Sequence, residues 1–161
     1  NKHNNQLYNK LVELSRNIFF YKDLKLKDNF ETRIILIFLH LSIILLVFKK
    51  DKKMNFPQDI FDNVFQNIEY NMRELGHGDV SVNKKMKILN RIFYNILLKI
   101  DQKNSDLFSV NESIIAEHLF NDIKETDEIM SKIKEYLSSF YNYCFELDID
   151  SMIKGKINYK Y

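Results

Sequence analysis

The 161-residue chain is 45% hydrophobic and 14% aromatic, which excludes a disordered polymer and leaves length enough for one sizeable core. Its net charge of +2 divides into +6 over residues 1–53, zero over 54–108 and −4 over 109–161, without the concentrated basic face of a dedicated nucleic-acid binder. A lone Cys144 excludes a disulfide framework and a cysteine zinc cluster, and three glycines with one proline provide too little turn chemistry for a β-sandwich or barrel. The expectation is one all-α domain over residues 1–161, built as about six helices around one apolar central helix.

The first helix is predicted from Leu7, Leu11, Leu14, Ile18 and Phe19, which recur at three- and four-residue spacing. The stretch YKDLKLKDN carries no period and reads as a connector. A second helix over residues 30–48 contains the run IILIFLHLSIILLVF. At about 1.5 Å per residue this run spans roughly 22 Å, short of a bilayer core of about 30 Å, and Arg33 and Lys49-Lys50 close it tightly. A helix apolar on all sides and of this length belongs at the centre of a globular domain.

KKDKKMNFP follows as a charged loop, with Pro57 suited to a first helical turn. The third helix places Ile60, Phe61, Val64, Phe65, Ile68, Met72 and Leu75 on one face, with Asp62, Gln66, Glu69 and Arg73 around the rest. In MRELGHGDVSVNKKM, Gly76 can end that helix in a left-handed conformation and Gly78 lets the chain turn again. Asp79 or Ser81 is then available to cap a fourth helix, with Met86, Leu89, Phe93, Ile96 and Ile100 as its stripe. After a loop at DQKNSD, Ser109-x-x-Glu112 reads as a capping box opening a short fifth helix through about Ile123. Thr126 caps the sixth, with Ile129, Ile133, Tyr136, Phe140 and Cys144 facing inward. Gly155 ends a final short turn, and KINYKY forms an extended tail.

Catalytic and metal motifs are absent from the sequence. His3, His40, His77 and His118 lie far apart, with no HExxH, Cys-x-x-Cys, EF-hand, GxSxG or phosphate-binding loop. Glu146, Asp148 and Asp150 read as a solvated helix end rather than an ion site. His40 on the apolar helix reads as a core imidazole bonded to a backbone carbonyl or a tyrosine, in preference to a haem ligand, with Arg33 on the same face as a second polar group. Neither cofactor nor metal is expected. Lys84, Lys87 and Arg91 share a helix face, with Lys85 beside them; that row is a solvated face or, together with KKDKK at 49–53, a basic patch for ribosomal RNA or anionic lipid.

The stretch FDNVFQNIEYNMRELGHGDVSVNKKMK resembles the signature of the ubiquinol–cytochrome c chaperone family, assembly factors for cytochrome b of the bc1 complex. The resemblance lies in a helix ending Arg-Glu-x-Gly-x-Gly-Asp before a basic helix start, here Arg73, Glu74, Gly76, Gly78, Asp79, Lys84 and Lys85. Upstream, Phe20, Tyr21, Asp28, Arg33, Leu39 and His40 are similar to a Phe-Tyr, an acidic connector and an Arg opening an apolar helix with Leu-His. IIAEHLFNDI and IKGKINY resemble family segments more loosely, so the likeness runs from about Tyr8 nearly to the C-terminus, its core over about residues 8–125 and its C-terminal helix and tail over 126–161. Asn83 stands where a proline is expected and Asn95 where a glycine is common.

The resemblance implies a non-enzymatic chaperone that binds newly made cytochrome b and promotes assembly of the bc1 complex. It also implies a ribosome and a small partner assembly factor as further partners, and no DNA. The implied location is the bacterial cytoplasm, peripheral to the inner membrane, or the mitochondrial matrix. Phe20, Tyr21, Arg33 and His40 are the candidate client contacts. Lys84, Lys85, Lys87 and Arg91 are the candidates for ribosome, membrane or partner. Two alternatives stand beside this reading: a membrane-peripheral or RNA-binding helical module acting through its lysines, and an enzyme whose site is assembled only in space.

Overall fold

The apolar helix is the axis around which the chain is wound. In a computed structural model that describes residues 5–102, 107–121 and 124–161, this helix, α3 (Phe30–Val47), runs on into a π-helical turn (Phe48–Lys52). Before it come α1 (Gln6–Ser15) and α2 (Ile18–Lys22); after it come α4 (Gln58–Glu74), α5 (Asp79–Lys99), α6 (Glu112–Leu119), α7 (Asp127–Phe145) and α8 (Ile149–Ile153). No strand occurs among the described residues, only an isolated antiparallel bridge between Asp101 and Val110. The protein is all-α.

Helices α1, α5, α6 and α7 pack directly on α3, while α4 bridges α1 and α5. Neighbours on every side explain why α3 lacks a polar face: every residue from Ile34 to Ile44 is buried. By length and composition the 23 residues of Phe30–Lys52 suffice to cross a bilayer, yet in the fold they form the centre of the core. The helix is opened by Asn29, whose side chain accepts a hydrogen bond from the Thr32 amide at 2.9 Å, with Glu31 in the first turn to complement the dipole.

Several boundaries differ from the sequence expectation, each for a local reason. The predicted first helix is broken at Asn17, whose Oδ1 caps α2 by accepting from the Phe19 amide at 3.0 Å. Ile18 is thereby turned into solvent rather than joining the stripe. Pro57 takes the N-cap place rather than the first turn of α4. Leu75 is the C-cap of α4 and is exposed, because the helix has already stopped winding there. Helix α5 starts at Asp79 with Gly78 as its N-cap, so Ser81 lies inside the first turn and caps nothing. The capping box at Ser109–Glu112 does not form: Asn111 caps α6, accepting from the Ser113 amide at 3.0 Å, while the Ser109 amide donates to Asp101 Oδ1 at 3.1 Å. Helix α6 ends at Leu119; Ile123 lies outside the described residues, as do His3 and part of the predicted loop at 101–106.

Thr126 does cap α7, accepting from the Ile129 amide at 3.2 Å, and Ile133, Tyr136, Phe140 and Cys144 are buried as their spacing requires. The tail is extended but docked. Ile157 is buried, Asn158 donates its amide to the Tyr143 hydroxyl at 2.9 Å, and the rings of Tyr159 and Tyr161 lie 5.5 Å and 5.1 Å from that of Tyr136. Gly155 makes this possible. It sits at φ +69°, and its α-carbon faces the backbone of Gln6 with no room for a side chain.

Candidate functional site

A groove of about 1270 Å³ opens where the C-terminal end of α3, the start of α4 and the end of α5 meet. Leu45 and Leu46 come from α3, Met54, Phe56 and Phe61 from the following loop and α4, and Tyr94, Leu97 and Leu98 from α5; Lys49 and Lys50 stand on the rim. The floor is rigid, because Phe61 packs against Phe65 at 4.9 Å and Phe93 at 5.5 Å, and Phe48 against Phe56 at 4.9 Å. One wall is held by Asp101, buried to 8% exposure. Its carboxylate pairs with Lys50 and accepts the Ser109 amide, and the Asn111 amide bonds the Ile100 carbonyl at 2.9 Å beside it.

Such a volume exceeds the roughly 300–1,000 Å³ of ordinary small-molecule pockets and suits an apolar polypeptide segment. None of the predicted client contacts Phe20, Tyr21, Arg33 and His40 lines this groove. The signal was present in surplus apolar residues off the buried stripe, since Leu97 and Leu98 cannot both face a core that Phe93 and Ile96 already fill.

The Gly-x-Gly-Asp stretch is a corner, not a chemical site. Gly76 takes φ +94° and completes a Schellman motif: its amide donates to Arg73 O at 3.0 Å and the His77 amide to Met72 O at 3.3 Å. Gly78, by contrast, has φ −75° and open space around its α-carbon, so nothing in the turn demands glycine there. Arg73 pairs with Asp79 across the corner and approaches Glu69 at 3.8 Å, tying the end of α4 to the start of α5. Asp79 also places a negative charge on the first turn of α5, where the dipole favours it.

Glu74 and Leu75 border a second, smaller cleft of about 230 Å³, together with Tyr8, Ser15, Arg16 and Arg33. In this cleft the hydroxyl of Ser15 is buried without a hydrogen-bond partner.

Of the four proposed client contacts, Phe20 and His40 are wholly buried, while Tyr21 and Arg33 reach the surface. Tyr21 donates its hydroxyl to Ser15 O at 2.7 Å, and Arg33 pairs with Asp28 at 2.7 Å rather than with His40. His40 has both of the core partners its position suggests. Nδ1 lies 2.7 Å from Leu36 O and Nε2 lies 2.6 Å from the Tyr136 hydroxyl. A carbonyl only accepts, so Nδ1 carries the proton and Tyr136 donates to Nε2. Burial lowers the imidazole pKa to about 4, against a small opposing effect of the Leu36 carbonyl, and burial pushes the Tyr136 hydroxyl far up. With both nitrogens engaged between the rings of Phe20 and Phe140, this histidine does not fit haem ligation.

His118 lies 2.8 Å from Glu117 and 3.0 Å from the Asn95 amide, but neither cleft includes it. Burial lowers its pKa, partly offset by Glu117. Asn95 thus links α5 to α6. Asp148 caps α8 through the Ser151 amide and Asp150 pairs with Lys154 at 3.2 Å, so Glu146, Asp148 and Asp150 form a helix junction. Among the described residues no cluster of three or more metal-ligating side chains occurs. The Cys144 thiol is buried and its pKa is raised by burial, which leaves it unreactive.

The two basic stretches differ in how their charges are paired. Lys50 and Lys52 are held by Asp101 and Asp51, whereas Lys84, Lys85, Lys87 and Arg91 have no ion-pair partner among the described residues. Lys84, Lys85 and Lys87 lie in the N-terminal half of α5 and Arg91 just past its middle, whereas the groove takes Tyr94, Leu97 and Leu98 from the C-terminal end.

Comparison with known proteins agrees with this architecture. No curated protein matches the chain. Among solved structures, the crystal structure of the Cbp3 homolog from Brucella abortus superposes with a TM-score of 0.71 at 23% identity, over 99% of this chain and 91% of that one. The family model described as ubiquinol-cytochrome C chaperone matches residues 22–159, which contain the corner, the groove and the docked tail as far as Tyr159. The chain belongs to the ubiquinol-cytochrome C chaperone family.

Proposed function

We propose that this protein is a non-enzymatic assembly chaperone that binds newly made cytochrome b and promotes its incorporation into the cytochrome bc1 complex. The observation that carries the reading is the apolar groove at the junction of α3, α4 and α5. A newly made membrane protein presents apolar helices that need cover until they find their partners, and a rigid apolar cleft with lysines on its rim offers that cover. Membership of a ubiquinol-cytochrome C chaperone family supports this class of client, and the size and apolar lining of the groove support its use as the place of binding.

Deletion of the gene in its host is expected to lower b-type haem absorbance and bc1 activity, and normal cytochrome b in the deletion strain would overturn the reading. The groove is tested by complementing that strain with Met54→Glu. Met54 is 41% exposed on the groove wall, so the substitution puts a charge into the cleft without disturbing the core. Failure to restore cytochrome b by a variant that folds and accumulates normally would support the groove, and full rescue would remove it. Among the proposed surface contacts, Tyr21 and Arg33 remain candidates for a second client-facing region, because they border the surface on the α1–α3 side.

A further inference from the structure

Helix α5 buries one face through Val82, Phe93 and Ile96 and turns another away from the protein. At 100° per residue, Val80, Lys84, Lys87, Arg91 and Leu98 fall on one line along that outer face, with Ile88 and Tyr94 flanking it. The apolar members are not covered: Val80 is 72% exposed, Leu98 63%, Tyr94 49% and Ile88 47%. After Asp79 the helix carries no Asp or Glu, and none of Lys84, Lys87 and Arg91 has an ion-pair partner among the described residues. The stripe is therefore positive, partly apolar and about 27 Å long.

We infer that the outer face of α5 docks the protein on an anionic lipid surface. Lysine and arginine attract phosphate headgroups, while exposed aliphatic side chains enter the boundary between headgroups and acyl chains. A bilayer explains the aliphatic residues, which a nucleic acid does not. A phosphodiester backbone gives Val80, Ile88 and Leu98 nothing to bury against, and single-strand binding calls for stacking aromatics, of which the stripe has only Tyr94. Leu98 and Tyr94 also line the groove, so docking along α5 sets the groove mouth at the membrane surface. The value of that placement rests on the membrane-protein client proposed above, whereas the lipid contact itself does not depend on it.

The test uses the purified full chain and vesicles, without cytochrome b, so its failure leaves the client reading untouched. The protein is expected to co-float with vesicles of phosphatidylcholine mixed with phosphatidylglycerol and not with phosphatidylcholine alone. Each cation near an anionic surface is worth about fivefold, so Lys84→Gln/Lys87→Gln/Arg91→Gln is expected to weaken partitioning roughly a hundredfold. Val80→Ser/Leu98→Ser is expected to weaken it by at least about tenfold at unchanged charge. All five positions are exposed, so circular dichroism should stay unaltered. Equal recovery with neutral and anionic vesicles, or wild-type binding by the triple variant, would overturn the inference. So would an RNA complex lost in the triple variant while Val80→Ser/Leu98→Ser floats as the wild type does.

Discussion

Replacing Gly155 with alanine adds one carbon to the molecule, yet two costs arise at once. The backbone there sits at φ +69°, in the left-handed region, where a side chain costs about 1–2 kcal/mol. The added carbon would also lie 2.6 Å from Gln6 O, 2.9 Å from Gln6 C and 3.1 Å from Leu7 Cα. Those are backbone atoms at the start of α1, and relief requires moving that helix or lifting the tail, at roughly 1–3 kcal/mol for overpacking. Together the loss is about 2–5 kcal/mol, or roughly 5–15 °C in Tm for a chain of this size. Gly76→Ala is the internal control, since φ is +94° there but nothing lies within 4 Å of the added carbon. It should show the conformational cost alone, about 1–2 kcal/mol. Urea denaturation of both variants separates the two contributions. Equal losses in the two would refute the close approach of the tail to α1, and no loss at Gly76 would refute the left-handed corner.

Three further outcomes follow from single residues. His40 is depressed to a pKa of about 4 in the folded state against an unfolded value near 6.5, so the unfolded chain binds the extra proton between those values. Its contribution is complete above pH 6.5 and is lost as pH falls toward 4, roughly 3 kcal/mol in all; an NMR titration in which His40 protonates near pH 6.5 in the folded protein would contradict it. Ser15→Ala removes a buried hydroxyl that has no partner, and should leave stability unchanged or raise it by up to about 1 kcal/mol, with a loss in chemical denaturation pointing to a bonded hydroxyl instead. Asp101→Asn keeps an acceptor for the Ser109 amide but loses the pair with Lys50, which is about one-third exposed, so the cost is about 1–2 kcal/mol after solvent screening. Faster amide exchange at residues 49–53 and 107–111 is the expected readout, and unchanged exchange would show that this pair does not hold the groove wall.

The period of the hydrophobic residues made the helices legible, because a stripe at three- and four-residue spacing has few other uses. The composition of residues 34–48 made their burial legible as well, and the two partners of His40 followed from its place on an apolar helix. Local competition was less legible. Asn17 and Asn111 each cap a helix where pattern alone suggested continuation or a different cap, because a short amide side chain reaches the backbone amide two residues ahead. The groove was least legible of all, since it depends on three segments meeting. Leu45, Phe56 and Leu98 belong to different elements, and only the fold shows that their excess apolar surface is shared.

The stretch from Arg73 to Asp79 has a structural role in the fold. Arg73, Gly76 and Asp79 anchor the N-terminal end of α5 through a Schellman turn and an ion pair. At the C-terminal end, the Ile100 carbonyl accepts the Asn111 amide and Asp101 clasps Lys50. Between these anchors Phe93 and Ile96 hold the inner face against the aromatic cluster of Phe38 and Phe65. Helix α5 is therefore held at both ends and along one side, while its outer face and the groove at its end stay uncommitted. A surface that must meet a partner in one orientation needs that kind of support, because residual motion would cost ordering entropy on binding. The corner at Gly76 is one of the two places where that support is set, so the turn that begins α5 also fixes the direction in which its outer face is presented.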